Sequence, residues 1–240
     1  MADLEVAYSF DEPGNLVIDH SGNGHDFDRT AGGATTALVS GNTNTGLALN
    51  GSTGPTVTNT PFGLAAAEWT VMAWVQDTGD SGPFWIIQWY NVAGDTGIRG
   101  LIKLAGNITV RARNAGGAVG AGVSYPSDNQ WHHFAGSYDG TQLQFFLDGE
   151  PAGDPQTLTA PLRTDADSLL LLTDAATTVT IDDIRVYNIV MDQFQITDAM
   201  NTPVTDEPAI DSTPYRIFVS DAWVSTAAKV FNGTDWVDAG

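Results

Sequence analysis

Asp19-His20-Ser21-Gly22-Asn23-Gly24 sets oxygen-bearing side chains at alternate positions, with glycine where the chain must turn sharply. A hard divalent cation asks for that arrangement, since it wants several oxygens converging at about 2.3–2.6 Å. Calcium is the expected ion, with Asp19, Ser21 and Asn23 as ligands. The match to a helix–loop–helix calcium loop stops partway, because the twelfth position is Thr30 rather than a bidentate glutamate. The missing oxygen is expected from Asp182. If 178–187 is a strand, Asp182, Ile184 and Val186 project to one face. A carboxylate on an apolar face needs a partner, because an isolated buried charge costs more than a domain can carry. The alternative is a turn rich in Asp and Asn, with its carboxylates hydrogen-bonded to backbone amides. Asp26 and Asp183 are expected in solvent.

Other residues could do chemistry and are weighed on their spacing. Phe84, Trp85, Trp89 and Tyr90 form the densest aromatic cluster. Trp85 and Trp89 fall on one face of a regular strand, with Phe84 and Tyr90 partly opposed. An exposed face of this kind stacks on the apolar sides of sugars, so Trp85, Trp89 and Tyr90 are candidate ligand contacts. His132 and His133 alternate faces with no carboxylate close in sequence, which points to structural roles. Gly117 to Gly122 lacks the strand-to-helix setting of a dinucleotide loop and the lysine of a phosphate loop, and reads as a hairpin loop. Retaining glycosidases need two carboxylates on one face. The five glutamates, Glu5, Glu12, Glu68, Glu150 and Glu207, are too scattered for that, so no catalytic residue is assigned.

The elements that must position these groups are strands. Trp131 to Tyr138, then Asp139-Gly140, then Thr141 to Leu147, then Asp148-Gly149, reads as a meander, because Asp-Gly supplies the positive φ of a tight hairpin turn. Further strands are expected over 4–10, 46–50, 69–76, 84–90, 98–104, 107–113, 168–173 and 178–187. One short helix over 191–200 closes an end. Many short strands separated by turns predict an all-β antiparallel sandwich over residues 1–200. Residues 201–214 carry Pro203, Pro208 and Pro214 and read as an acidic linker. Beyond it, Arg216-Ile217-Phe218 with Trp223-Val224 repeats as Lys229-Val230-Phe231 with Trp236-Val237. Two strand–turn–strand copies over 215–240 follow, the second turning at Asn232-Gly233.

Several of these segments together resemble laminin-G-like, concanavalin A-like jelly-roll domains: Leu4 to Glu12 with Asp19 to Gly24, Gly46 to Gly51, Trp69 to Val75, the meander, and Ile181 to Asn188. The resemblance implies a two-sheet jelly roll that binds glycans or proteins and commonly holds a structural calcium near the 19–24 and 182 segments. It implies no activity by itself. Lys229 to Val237 resembles the endings of minor tail proteins of actinobacterial phages, with Phe231 where tryptophan is more usual.

Charge and composition narrow the function. Nine basic residues against 29 acidic ones leave a net charge of −20. Such a field repels nucleic acid and anionic membrane surfaces. The absence of cysteine excludes disulfides and thiolate chemistry. No signal peptide and no run of about 20 apolar residues is visible. The expectation is a non-enzymatic phage virion protein, a minor tail protein or surface adhesin made in the host cytoplasm, whose jelly roll binds a glycan or the host envelope. The alternative is a tail or capsid decoration protein that packs on other virion proteins, with Phe218, Trp223, Phe231 and Trp236 as anchors. Nothing in the residues decides whether it forms a homo-oligomer.

Overall fold

A computed structural model describes residues 4–31, 36–49, 54–58, 68–77, 82–91, 96–114, 116–158, 168–173, 179–205, 216–219, 222–225, 229–231 and 236–238. The strands begin with β1 (Leu4–Tyr8), β2 (Leu16–Val17), β3 (Phe27–Asp28), β4 (Thr36–Ser40), β5 (Thr45–Leu49), β6 (Thr56–Thr58) and β7 (Trp69–Asp77). They continue with β8 (Phe84–Asn91), β9 (Thr96–Leu104), β10 (Asn107–Asn114), β11 (Gly117–Ser124), β12 (His132–Tyr138) and β13 (Gln142–Leu147). Next come β14 (Glu150–Pro151), β15 (Gln156–Thr157), β16 (Ser168–Thr173), β17 (Val179–Tyr187) and the helix α1 (Gln193–Asn201). The last four are β18 (Arg216–Val219), β19 (Ala222–Ser225), β20 (Lys229–Phe231) and β21 (Trp236–Asp238). Residues Met1–Val204 form one compact unit and Thr205–Gly240 a second.

The first unit is an antiparallel two-sheet jelly roll. One sheet runs β14-β13-β12-β7-β17-β5-β4, with β1 also paired to β17 and β15 to β13. The other runs β11-β10-β9-β8-β16-β6. Period-two alternation decides which side chains meet between them. Trp69, Val71, Ala73 and Val75 of β7 share one buried cluster with Phe134, Phe145, Ile184 and Val186, and with Ile108, Val110, Leu101 and Phe84 of the second sheet. The sheets approach closely at Gly136, where an added Cβ would lie 2.3 Å from a Val110 methyl. Gly136→Ala should therefore destabilise the unit by about 2 kcal/mol through overpacking. A denaturant titration with an unchanged midpoint would show that the sheets do not meet there.

Of the two expected turns of the meander, Asp148-Gly149 is the tight one, with Asp148 (φ 51°) and Gly149 (φ 82°) both in the left-handed region that such a hairpin requires. At Asp139-Gly140 only Gly140 (φ 91°) is there, and the loop from Tyr138 to Leu143 is longer. Two expectations are corrected. Residues 117–122 are strand rather than loop, because every residue from Gly117 to Ser124 pairs with β10. The helix lies on the outer face of the first sheet rather than at an end, with Ile196 and Ala199 packed on Met72, Ala135 and Phe146. Asp192 caps it, accepting from the Gln195 amide while the Gln195 side chain accepts from the Asp192 amide.

In the second unit, the sequence repeat becomes two hairpins of the same register. Phe218 is opposite Trp223 in β18–β19, and Phe231 is opposite Trp236 in β20–β21. The expected Asn232-Gly233 turn and most of the expected linker, 206–214, lie outside the described residues.

Candidate functional site

The 19–25 segment runs along the free edge of β1. The Asp19 carboxylate accepts four hydrogen bonds: from the amides of Ala7 (3.0 Å), Ser21 (3.0 Å) and His25 (3.1 Å), and from the Ser21 hydroxyl (2.7 Å). Asn23 Nδ2 donates to the Leu4 and Glu5 carbonyls, each at 3.0 Å, and the His20 amide donates to the Ala7 carbonyl at 2.9 Å. The segment thereby satisfies groups that a bare strand edge would offer to another chain. Asp19 itself is buried. Asp26, exposed as expected, accepts from the Asp19 amide at 2.8 Å.

Asp182 belongs to a different network. Along β17 the pairing with β7 slips between Asp182 and Arg185, and Asp183 takes φ 46°. This extra residue reverses the alternation. Asp182 pairs with Trp74, on the sheet face opposite Ile184 and Val186, so the expectation that the three share a face is corrected. At the slip, the neighbour of β17 changes from β5 to β1. The 41–45 turn sits over that seam. Asp182 Oδ2 accepts from the Thr43 amide at 2.9 Å and its Oδ1 from the Asp183 amide at 2.8 Å. Asp183 Oδ1 accepts from the Val204 amide at 3.0 Å, and Asp11 holds the same turn through the Thr45 amide at 2.9 Å. Both Asp182 and Asp183 are fully buried, which corrects the expectation of a solvated Asp183. Burial pushes the Asp182 carboxyl up to about 7, against the hydrogen bond from Thr43, with Asp183 and Asp11 adding to the rise. Burial also raises Asp183, opposed by Arg185.

As a set, Asp19, Ser21, Asn23 and Asp182 do not fit one shared calcium ion. A carboxylate has about four lone-pair sites, and in Asp19 all four face donors. Asn23 turns its amide nitrogen, not its oxygen, toward β1. Asp182 shares no hydrogen-bond partner with the 19–25 segment among the described residues. The oxygens that suggested a metal loop serve instead as backbone acceptors.

A second surface gathers polar chemistry on the outer face of the second sheet. A register shift between Trp85 and Ile87 places both Ile86 and Ile87 in the core and sends Trp85 and Trp89 to opposite faces. Trp89 is buried against Trp69, with ring centroids 6.2 Å apart, so it is not a ligand contact. Trp85 is half-buried on the outer face, and the Tyr90 side chain lies outside the described residues. Cross-strand register lines up Gln88, Gly100, Arg111 and Gly120 in one row, and Trp85, Ile102, Thr109 and Gly122 in the next. Gly100 (φ 144°) has to be glycine, because a Cβ would lie 2.0 Å from the Ile87 carbonyl oxygen. With glycine on both sides, Arg111 has no lateral side-chain neighbour in its row. Burial and then Arg113 lower the pKa of Arg111, with no carboxylate among the described residues acting in the other direction. Neither arginine stands out in a search for catalytic motifs. The signal was the strict alternation of Thr109, Arg111 and Arg113 in a chain with nine basic residues.

The remaining polar groups have structural settings. His132 bridges Asp148 (2.8 Å) and Asp128 (3.1 Å), partners the spacing did not reveal. His133 is fully buried edge-on to Trp74, 5.3 Å between centroids, and burial, then Arg185, drops its pKa to about 3. Lys103 and Asp77 form a buried pair at 2.6 Å, with the ammonium 4.4 Å from the Tyr125 ring centroid. No group of three or more metal-ligating His, Asp or Glu residues occurs among the described residues. No helix among them is long and apolar enough to cross a membrane.

Residues 49–197 match the family described as the concanavalin A-like lectin/glucanases superfamily, in its Laminin_G_3 model. No curated protein sequence matches the chain. Among solved structures, it is similar to the binding domain of Paraclostridial Mosquitocidal Protein 1, at 14% identity and a TM-score of 0.63, covering 83% of this chain and 52% of that one. The binding domain of Botulinum Neurotoxin DC, solved in complex with SialylT, matches at 11% identity and a TM-score of 0.64, covering 83% and 51%. The Botulinum Neurotoxin Type G receptor-binding domain matches at 14% and 0.60, covering 82% and 50%. The chain thus spans about half the length of these structures, and at such identities the likeness concerns the fold alone.

Proposed function

The chain belongs to the concanavalin A-like lectin/glucanases superfamily, and from that premise we propose that it is a non-enzymatic binding module that takes an acidic glycan on the outer face of its second sheet. The observation that carries this reading is Arg111 beside Arg113. Arg111 is half-buried, and the like charge of Arg113 on the next outward position adds to the cost of its burial. A chain with 29 acidic residues could neutralise Arg111 internally, yet among the described residues no hydrogen bond or ion pair engages it. Carboxylates and hydroxyls of a glycan would supply charge-assisted hydrogen bonds there. Trp85, two strands and roughly 10 Å away by strand spacing, offers a ring for a neighbouring sugar. Solved structures of similar fold include binding domains, which is compatible with this reading.

The setting proposed is a virion. The duplicated hairpin, with Phe218 opposite Trp223 and Phe231 opposite Trp236, is suited to anchoring on another virion protein. That duplication also favours a second reading, a decoration module that packs on the particle without lectin activity.

Glycan-array binding followed by calorimetric titration separates the two readings. Arg111→Ala should weaken binding of an acidic oligosaccharide about 30-fold, as expected for one charge-assisted hydrogen bond, and leave the melting temperature unchanged. Particles carrying the protein with no glycan binding would favour the second reading.

A further inference from the structure

Beside α1, against the end of β17, lies a pocket of about 390 Å³ on the opposite sheet from the arginine face. Its apolar wall is Ile189, Met191 and the Tyr187 ring, and Phe194 stands at its rim, 80% exposed. A phenylalanine that exposed, on a helix whose other face is packed, is not there for the core. Arg185 closes the floor, but its two terminal nitrogens donate to the Ala199 carbonyl at 2.8 Å and to the Thr202 carbonyl, capping the end of the helix. Three polar groups open on the pocket with capacity left over. Gln195 uses its side-chain oxygen in the helix cap and keeps its amide NH₂. The Tyr187 hydroxyl and the Asp198 carboxylate make no hydrogen bond among the described residues.

We infer that this pocket is a second, separate ligand site that takes a single neutral pyranose unit. An aromatic ring at the rim matches the apolar face of a sugar, while a carboxylate, an amide and a phenol match its hydroxyls. The volume of about 390 Å³ is enough for a sugar ring and too small for an extended chain. Charge sets the preference, because Asp198 is the pocket's one uncommitted charge and the chain carries −20. A sialic or uronic acid is repelled here, whereas the arginine face attracts it. The site does not depend on the arginine face, and together the two would let one module bridge two glycans or two parts of one.

Saturation-transfer NMR with a panel of neutral methyl hexopyranosides, and with sialic acid as the charged control, tests the assignment. Neutral sugars should show transfer, and Phe194→Ala and Asp198→Ala should each weaken it about tenfold. Both residues are exposed, so the fold should be retained, as a thermal melt would confirm. Arg111→Ala should leave neutral-sugar transfer intact, which separates this site from the arginine face. Equal transfer to both pocket variants, transfer to sialic acid alone that depends on Asp198, or no neutral-sugar transfer at all would each overturn the inference.

Discussion

Asp19→Ala should lower the unfolding free energy by about 4 kcal/mol, a loss at the upper end for a single substitution. Four hydrogen bonds end on that carboxylate, and truncation leaves the buried Ala7 and His25 amides without an acceptor. Bonds to a charged acceptor are worth roughly 1.5–3 kcal/mol each, and an unsatisfied buried donor costs about 1–3, though the bonds act together and do not add. Asp19→Asn keeps half of the acceptors and should lose about 2 kcal/mol. The same substitution uncovers the edge of β1, so the variant should also self-associate as its concentration rises. Chelator should leave the wild-type melting temperature unchanged, since none of the four Asp19 bonds needs a metal. A fall in melting temperature with chelator, reversed by calcium, would contradict the edge-cap role.

Asp182 has the second large effect, and it appears as pH dependence. Its carboxyl is raised from 3.8 to about 7 in the folded protein. The folded state then holds a proton that the unfolded state has released. The stability tied to that proton is complete below the unfolded value and is lost as pH rises through the folded one, for a total of roughly 4 kcal/mol. Between pH 8 and pH 5 the group should therefore add roughly 2.5 kcal/mol. His133 works in the opposite direction. Its pKa, held at about 3, means that the unfolded state takes up a proton below about 6.5 and the fold does not, so acidification is destabilising through this group by roughly 2 kcal/mol at pH 5. His132 and Asp183, both raised, have the sign of Asp182. The wild-type profile therefore mixes opposing contributions and does not isolate Asp182. The contribution emerges on comparison with Asp182→Asn, which cannot titrate: the wild type should gain roughly 2.5 kcal/mol relative to the variant as pH falls from 8 to 5. A constant difference in urea titrations across that range would mean that Asp182 ionises normally.

The pattern of strands was legible because alternation and turn chemistry agree along most of the chain. Trp69 to Val75 shows its inward set directly, and the Asp148-Gly149 hairpin is written in two residues. What alternation cannot show is an inserted residue. The slips at Ile86–Ile87 and at Asp182–Asp183 each move later side chains to the other face, so Trp85 parts from Trp89 and Asp182 from Ile184. Faint marks of both exist: a glycine at 100 that no other residue can replace, and two adjacent aspartates inside an apolar strand. The 19–24 motif is ambiguous for a different reason. Oxygens gathered by a tight turn serve a cation or a row of N–H groups equally well, and only the position of β1 decides between them. Arg111 is visible in the sequence, but its glycine neighbours at 100 and 120 follow from which strands flank β10.

Amide chemical-shift mapping with an acidic oligosaccharide addresses the binding face most directly. Perturbations should concentrate at Gln88, Gly100, Thr109, Arg111 and Gly120, with the Trp85 indole shifting as well. Shifts confined to the 19–25 segment or the 41–45 turn, with those residues silent, would contradict this binding face.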